Sequence, residues 1–211
     1  MRFRYIAVEG SIGVGKSSLV DLMGTKLDAI KVFEDANNPF LNDFYKDKEG
    51  VAFQTQLFFL LSRYRQQQKL LQQNLFRQLT ICDYLFAKDK IFAYLNLSDS
   101  ELMIYEKLYS IFQENVPKPD LVIYLQATTK VLKKRIAKRG RSLERDISED
   151  YLEEVNQAFN YFFFNYNERP LLVVNTSAID FVEKEEALDD LIEHVKKMGK
   201  GTQFYVPLGS R

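Results

Sequence analysis

The chain has 211 residues, with 29 lysines and arginines against 29 aspartates and glutamates, so its formal net charge is zero. A neutral chain has no long-range attraction for nucleic acid or acidic membranes, and we expect neither as a partner but rather a small-molecule substrate. The length suits one α/β domain over residues 1–211, and the single cysteine, Cys82, excludes an intramolecular disulfide. No apolar run suits a signal peptide or a membrane span, which predicts a cytoplasmic protein.

The first predicted strand, residues 3–8, leads directly into a glycine-rich loop. Residues 10–17 read GSIGVGKS and match the phosphate-binding pattern G-x-x-x-x-G-K-[ST]. An amphipathic helix, residues 18–27, follows the loop. A glycine-rich turn that matched the pattern by chance would not be expected to have both a strand before it and a helix after it. Glycines let successive N–H groups turn toward one anion, reinforced by the positive end of the helix. The residues expected to bind nucleotide are Gly10, Ser11, Ile12, Gly13, Val14, Gly15, Lys16, Ser17 and Ser18.

Two residues of this loop have more specific predicted roles. In P-loop enzymes the lysine reaches the β- and γ-phosphates, and the following hydroxyl ligates Mg²⁺. We therefore expect Lys16 to contact the phosphates and Ser17 to be a metal ligand.

A second parallel strand, residues 30–33, is predicted to end at Glu34 and Asp35. Ligands of open α/β sheets bind at the carboxyl ends of the strands, so these two carboxylates lie where a substrate is expected. A solvated acidic turn would have the same sequence, and this alternative stays open at this point. After a break at residues 37–39, a helical segment begins that ends at Tyr45.

A long helix is predicted over residues 51–73, with an apolar surface wider than one stripe, which indicates burial on more than one side. Gln56 and Arg63 are seven residues apart and therefore share one face. Either residue alone would be expected on the surface. Together on an apolar helix they indicate polar recognition inside a pocket.

The third predicted strand, residues 79–83, ends at Asp83, the position from which P-loop enzymes hold or orient the metal. Lys88 and Asp89 follow in the next segment. A helix over residues 101–115 and two prolines then precede the fourth strand, residues 120–125.

Residues 133–145 form the only dense basic run of the chain. A solvated helix end or a nucleic-acid site would also be basic, but the chain is neutral and the run lacks interleaved aromatic residues. In a P-loop protein we favour a lid whose arginines close over the transferring phosphoryl group. An aromatic-rich helix (149–166), the fifth strand (171–175), a last helix (188–197) and an unassigned apolar tail (199–211) complete the chain.

Taken together, the motifs resemble the deoxynucleoside kinase family, and in particular its bacterial deoxyadenosine/deoxyguanosine kinases. The resemblance runs through nearly the whole chain, and beyond the P-loop it rests on order and spacing. The stretches that carry it are residues 8–18 (VEGSIGVGKSS), Glu34 with 38–41 (NPFL), 44–47 (FYKD), Gln56 with 59–60 (FL) and Arg63, 83–84 (DY), 91–93 (IFA), 117–120 (PKPD), 124–125 (YL) and 135–144.

The resemblance implies a P-loop kinase three-layer α/β fold, with a five-stranded parallel sheet flanked by helices. It also implies an arginine-rich lid at about residues 135–146 and a homodimer formed through long helices. The five strands counted above agree with this fold. The implied reaction is ATP-dependent phosphorylation of the 5′-hydroxyl of a deoxynucleoside, with Mg²⁺ as cofactor.

The resemblance also implies roles for individual residues around the transferred group and the sugar. Glu34 would be the base that takes the proton of the 5′-hydroxyl. Tyr45 and Glu144 would hold the 3′-hydroxyl, and Arg139 and Arg141 would be the lid arginines on the phosphates.

For the nucleobase, the family spacing selects Gln56, whereas Gln54 points about 200° around the helix. A glutamine amide pairs with adenine or, after a flip, with guanine, so the two purines stay open. Asp89 falls where members that are not thymidine kinases place a base-contacting aspartate. Buried Arg63 and Asp89 would crowd the 5-methyl group of thymine, which favours purine deoxynucleosides over thymidine, with deoxycytidine as a third candidate.

One departure from the family pattern concerns the end of the third strand. Most members carry an acidic residue followed by arginine there, whereas Asp83 is followed by Tyr84 in this chain. The bacterial purine subgroup is similar in this respect, with a lysine that matches Lys88. Lys88 is therefore the expected replacement for the arginine.

Two other functions are compatible with a P-loop. A nucleoside monophosphate kinase must bind an acceptor phosphate near the end of the second strand, but that region offers Glu34, Asp35 and Asp43 and no arginine before Arg63. A noncatalytic nucleotide-binding switch would need a guanine-reading Asn-Lys-x-Asp motif, which the sequence lacks.

Overall fold

The computed structural model describes residues 3–72, 78–141, 144, 147–177, 179, 181 and 185–206. Within these residues, six parallel strands form one sheet in the order β2-β3-β1-β4-β5-β6. The strands are β1 Tyr5–Gly10, β2 Ile30–Val32, β3 Thr80–Cys82, β4 Leu121–Gln126, β5 Leu171–Asn175 and β6 Thr202–Tyr205. The helices are α1 Lys16–Lys26, α2 Leu41–Tyr45, α3 Val51–Gln72, α4 Lys88–Asn96, α5 Asp99–Gln113, α6 Thr129–Arg139, α7 Glu149–Phe164 and α8 Glu185–Lys197.

Helices cover both faces of the sheet, which explains why its central strands are continuous apolar runs and do not alternate. On one face, Ile6 and Val8 pack with residues of α1 and α8. On the other, Ala7 and Tyr124 pack with residues of α4 and α7. The α/β fold with a parallel, helix-flanked sheet is thus confirmed.

The predicted number of five strands was wrong. The tail that sequence analysis left unassigned contains β6, which extends the sheet beside β5 with Leu171 opposite Thr202 and Val174 opposite Tyr205. Tyr205 is 4% exposed and its hydroxyl donates to Asp190 on α8, whereas its neighbour Phe204 is 76% exposed. A four-residue edge strand with one buried side chain lacks the apolar run from which the other strands were predicted.

Local backbone and capping features set the start of α5 and the end of α6. Helix α5 begins at Asp99, two residues before the predicted start, because Ser98 and Glu101 form a reciprocal capping box. Helix α6 ends where Gly140 takes a left-handed conformation with φ of 67°. Positions 135–139 of the predicted lid therefore belong to helix α6, and Arg141 lies beyond its end.

None of the helices within the described residues is both long enough and apolar enough to cross a membrane. The cytoplasmic location and the single domain over residues 1–211 stay predictions.

Adjacent residues of β6 give a matched test of its contribution to stability. Replacing a buried aromatic residue by alanine removes packing and leaves a cavity, so we expect Tyr205→Ala to lower the free energy of unfolding by about 3 kcal/mol. Phe204→Ala, on the exposed face of the same strand, should change it by less than about 0.5 kcal/mol. Urea unfolding followed by circular dichroism measures both. Equal effects of the two substitutions would contradict the placement of β6.

Candidate active site

The carboxyl ends of β1, β2 and β3 meet at one edge of the sheet, where a cavity of about 350 Å³ opens. This is the edge at which open α/β sheets bind ligands. The residues lining the cavity include those predicted from the P-loop, the strand ends and the basic segment: Gly10, Ile12, Gly13, Gly15, Lys16, Ser17, Ser18, Glu34, Tyr45, Gln56, Arg63, Asp83, Lys88, Arg139, Arg141 and Glu144.

The phosphate loop joins β1 to α1, in the predicted order of strand, loop and helix. Gly13 has φ of 80°, and a Cβ there would lie 2.6 Å from Cγ1 of Ile136, so this position requires glycine. The Lys16 Nζ donates to the carbonyls of Gly10 at 2.7 Å and Ser11 at 3.2 Å. Burial lowers the pKa of Lys16. The loop thus carries a desolvated cation at the start of a helix, a suitable environment for phosphate.

Asp83 connects the loop to the second strand end. Its Oδ2 accepts a hydrogen bond from the Ser17 hydroxyl at 2.6 Å, and its Oδ1 accepts one from the Glu34 backbone N–H at 2.6 Å. Among the residues that the structure describes, no group of three or more His, Cys, Asp or Glu side chains is arranged so that it could hold a metal ion. Mg²⁺ in phosphate sites needs only one or two protein oxygens, because substrate phosphates and water complete its shell. Ser17 and Asp83 fit such a site.

Glu34 lies between two cations. Its Oε1 accepts from Arg63, with the Nε at 2.6 Å, and its Oε2 accepts from the Lys88 Nζ at 2.6 Å. Burial alone would raise the pKa of Glu34, but the charges of Arg63 and Lys88 hold that pKa well below its ordinary value. Glu34 is therefore ionised at neutral pH, beside the cavity that also contains Lys16.

Arg63 is the centre of a second set of contacts on α3. Its guanidinium forms an ion pair with Asp89 and lies 4.6 Å from the centre of the Phe59 ring. Gln56, two turns away on the same face, is 2% exposed and lines the cavity, whereas Gln54 is exposed. The helix thus presents Gln56 and Arg63 to the cavity together, as their spacing predicted.

Asp89 contributes to the site through Arg63. The family resemblance implied contact with the nucleobase; in the structure Asp89 is fully buried, pairs with Arg63 and is not among the cavity-lining residues of the described chain. A buried carboxylate needs a nearby cation, and Arg63 supplies it. Asp89 therefore orients Arg63 from behind, and direct base contact stays a prediction.

Tyr45 and the basic segment lie along the cavity wall. Burial raises the pKa of Tyr45 above its ordinary value, so its hydroxyl stays neutral and can donate. Glu144 accepts from the Arg139 Nε at 3.1 Å and lies 3.8 Å from Nη1 of Arg141. All four residues line the cavity. Of the predicted lid over residues 135–146, positions 142, 143, 145 and 146 fall outside the described residues, and lid closure stays a prediction.

Sequence reasoning missed the aromatic part of the cavity wall. The aromatic side chains that line the cavity besides Tyr45 are Phe33, Phe44, Phe59, Phe92, Tyr151 and Phe159. On a helix, an aromatic residue facing a ligand has the same periodicity as one facing the core, so the pattern could not separate them. Flat apolar walls suit a planar ring bound between them.

Three comparisons relate the chain to known proteins. A model of the family "Deoxynucleoside kinase" matches residues 6–200. The chain is 33% identical to a deoxyguanosine kinase of Bacillus subtilis (strain 168) over 200 residues, which covers 92% of this chain and 97% of the relative. It is also 33% identical to a deoxyadenosine kinase of Dictyostelium discoideum over 188 residues, or 86% of this chain and 75% of the relative.

A solved structure gives an independent comparison. The structure of deoxyadenosine kinase from M. mycoides with bound dATP superposes with a TM-score of 0.77 at 28% identity, covering 91% of this chain and 98% of that chain. The family model and the solved structure thus both match this chain over most of its length, including the elements that form the cavity. The chain belongs to the deoxynucleoside kinase family.

Proposed function

We propose that this kinase transfers the γ-phosphoryl group of ATP to the 5′-hydroxyl of a purine deoxynucleoside. The observation that carries the proposal is the position of Glu34, an ionised carboxylate in the same cavity as the phosphate-loop Lys16 and the base-side Gln56. When bound, Mg·ATP supplies the phosphoryl group, and Mg²⁺ neutralises charge on its oxygens.

Glu34 is the proposed general base. A carboxylate has about four lone-pair positions, and Arg63 and Lys88 occupy only part of that capacity. The 5′-hydroxyl can therefore donate to Glu34 while the two cations keep the carboxylate fixed. Glu34 would take the hydroxyl proton as the 5′-oxygen forms its bond to the γ-phosphorus and the bond from that phosphorus to the bridging oxygen breaks, which releases ADP.

Four cations surround the transferred group in this proposal. Lys16 extends from the phosphate loop, and Arg139 and Arg141 reach the cavity from the end of α6. Lys88 lies 2.6 Å from the proposed base, which supports its role in place of the family arginine. Lys16 and Lys88 already contact other groups of the site, and donors fixed before the reaction stabilise developing charge because they need no further reorganisation.

The sugar and base complete the proposed complex. Tyr45 and Glu144 would hold the 3′-hydroxyl, while Gln56 would pair with the edge of the base. Arg63, held by Asp89 and stacked against Phe59, would narrow the pocket beside that edge. These positively charged and aromatic walls support a purine better than a methylated pyrimidine.

The geometry does not favour a nucleoside monophosphate kinase. Such an enzyme would need a cation available for an acceptor phosphate, but Arg63 pairs with both Glu34 and Asp89. An added phosphate would have to compete with two carboxylates for the same guanidinium.

We also propose that the protein is a homodimer. Neighbouring helices α4, α5 and α7 expose large apolar side chains, with Tyr161 75% and Phe164 87% exposed. A cavity of about 490 Å³ lies between α4 and α7 beside them. The remaining exposed apolar residues of these helices are Tyr94, Met103, Ile104 and Ile111. A second copy related by a twofold axis would cover this face with the same face of its own.

Replacing the proposed base tests the mechanism. We expect Glu34→Gln to lower kcat by 10²- to 10⁴-fold, on the order of a lost general base, while KM for the deoxynucleoside changes less than about threefold. Asp35→Asn, an exposed carboxylate outside the cavity, is the control and should keep wild-type rates. A coupled assay for ADP formation measures both variants. Wild-type kcat in Glu34→Gln would remove Glu34 from the role.

Base preference is tested on the four natural deoxynucleosides at equal low concentration. Deoxyadenosine or deoxyguanosine should react fastest and thymidine slowest. Gln56→Leu should lower kcat/KM for the preferred purine by roughly 10- to 100-fold, because a bidentate base contact contributes about 1–3 kcal/mol. Gln54→Leu, exposed on the same helix, should have little effect. Thymidine turning over faster than both purine deoxynucleosides would contradict the proposed pocket.

The homodimer is tested by light scattering coupled to size-exclusion chromatography. The wild type should have twice the chain mass of 24.7 kDa. The double substitution Tyr161→Glu and Phe164→Glu should give monomers, because it places charge in an apolar contact. Phe204→Glu, equally exposed but on β6, is the control and should stay dimeric. A monomeric wild type at micromolar concentration would refute the proposal.

A further inference from the structure

Glu9 is a buried charge to which neither the sequence analysis nor the proposed reaction gives a role. It is the residue before the phosphate loop, on β1, and its side chain is fully buried. It is not among the cavity-lining residues of the described chain. An isolated buried carboxylate costs several kcal/mol, so its contacts need an explanation.

Both carboxylate oxygens of Glu9 accept hydrogen bonds from the backbone. Oε1 accepts from the Gly10 N–H at 2.9 Å, and Oε2 accepts from the Leu85 N–H at 2.8 Å. Gly10 opens the phosphate loop, whereas Leu85 lies in the segment between Asp83 and Lys88. The Glu9 side chain therefore joins two parts of the site. One is the loop that carries Lys16, and the other is the segment that carries Asp83 and Lys88.

The charge of Glu9 also faces the cations of the site. Its Oε1 lies 3.9 Å from the Lys16 Nζ. Burial raises the pKa of Glu9 above its ordinary value, and the positive charges of Lys88 and Lys16 and the two backbone N–H groups offset part of that rise. Glu9 thus interacts electrostatically with a lysine on each side of the junction.

We propose that Glu9 is a positioning residue, which sets the phosphate loop and the Asp83–Lys88 segment at a fixed separation. This inference rests on the proposed function, in which the loop holds the phosphoryl donor and Lys88 acts at the acceptor hydroxyl. The separation between the phosphate loop and the Asp83–Lys88 segment therefore sets the distance between the phosphoryl donor and the acceptor hydroxyl. A displacement of about 1 Å between reacting groups can lower the rate about 10²-fold.

A carboxylate is required for this arrangement because both of its ends accept a hydrogen bond. In Glu9→Gln, the NH₂ group would face one of the two backbone N–H groups, and one bond would become a contact between two donors. The amide would also leave Lys16 and Lys88 without the negative charge beneath them. The two segments would then be free to shift relative to one another.

The test separates kcat from substrate binding. In Glu9→Gln we expect kcat to fall 10- to 100-fold and the affinity for Mg·ADP, measured by calorimetry, to fall several-fold. KM for the deoxynucleoside should change less than about threefold, because Gln56, Arg63 and Tyr45 line the cavity, whereas Glu9 is not among the lining residues of the described chain. Glu101→Gln is the control. Glu101 also accepts a backbone N–H, that of Ser98 at 2.9 Å, but it caps α5 away from the cavity.

Glu9→Asp keeps the inference testable if the glutamine variant does not fold. Aspartate keeps the charge facing both lysines but is shorter by one methylene, so it can reach only one of the two backbone donors. Its kcat should also fall, with deoxynucleoside KM retained. Wild-type kcat in the folded variant would overturn the inference. A fall in kcat matched by an equal loss of deoxynucleoside affinity would also overturn it, since that indicates a general structural defect.

Failure of the inference and failure of the proposed function give different results. If the wild type turned over none of the four deoxynucleosides, the proposed reaction would fail. Mg·ADP affinity would still report on Glu9, because nucleotide binding at the phosphate loop can be measured without phosphoryl transfer to a deoxynucleoside. If the wild type is active and Glu9→Gln matches it in kcat and in Mg·ADP affinity, only the inference fails.

Discussion

The paired charges around Glu34 are the interaction on which the site depends. Arg63 reaches Glu34 from α3, and Lys88 reaches it from the first turn of α4. Asp83 holds the Glu34 backbone N–H from the end of β3. The chain that follows β2 is therefore fixed by contacts from three other elements. Because β2 has only three residues, these polar contacts, and not the strand itself, position the carboxylate.

Groups of opposite charge lie close together throughout the site. Four carboxylates, Glu9, Glu34, Asp83 and Asp89, lie among three cations, Lys16, Arg63 and Lys88. Glu9, Glu34 and Asp83 accept hydrogen bonds, and Asp89 forms an ion pair with Arg63, so each buried carboxylate has a compensating contact. Removing one partner would leave its counterpart as an unpaired buried charge. The same contacts that stabilise the fold therefore orient the groups proposed to act on the substrate.

The features of the site that could be predicted from the sequence are those defined by the spacing of residues close together in the chain. The phosphate loop was predictable because a strand, a glycine pattern and a helix must follow one another in the chain. The shared position of Gln56 and Arg63 was predictable because residues seven apart lie on one face of a helix. Asp89 could not be placed behind Arg63, since that depends on how α3 and α4 pack. Glu9 reads as one more strand residue, because its partner Leu85 is 76 positions away. The edge strand β6 lacked an apolar run, and the aromatic cavity wall had the periodicity of a core.

The residue after Asp83 shows how packing can replace a family feature. Tyr84 is fully buried, in a cluster with Tyr5, Val32 and Cys82, so its side chain contributes to the core beneath the site. A cation at that position would have to leave this cluster to reach the substrate. Lys88 instead extends from the first turn of α4, with its Nζ 5.9 Å from the centre of the Tyr84 ring and 2.6 Å from Glu34. The Tyr84 ring thus lies beside the Lys88 ammonium group, on the side of the core. Because lysine is a compact point charge with rotatable donors, while arginine offers a planar fork, Lys88 can bind Glu34 and still turn a donor toward a substrate hydroxyl.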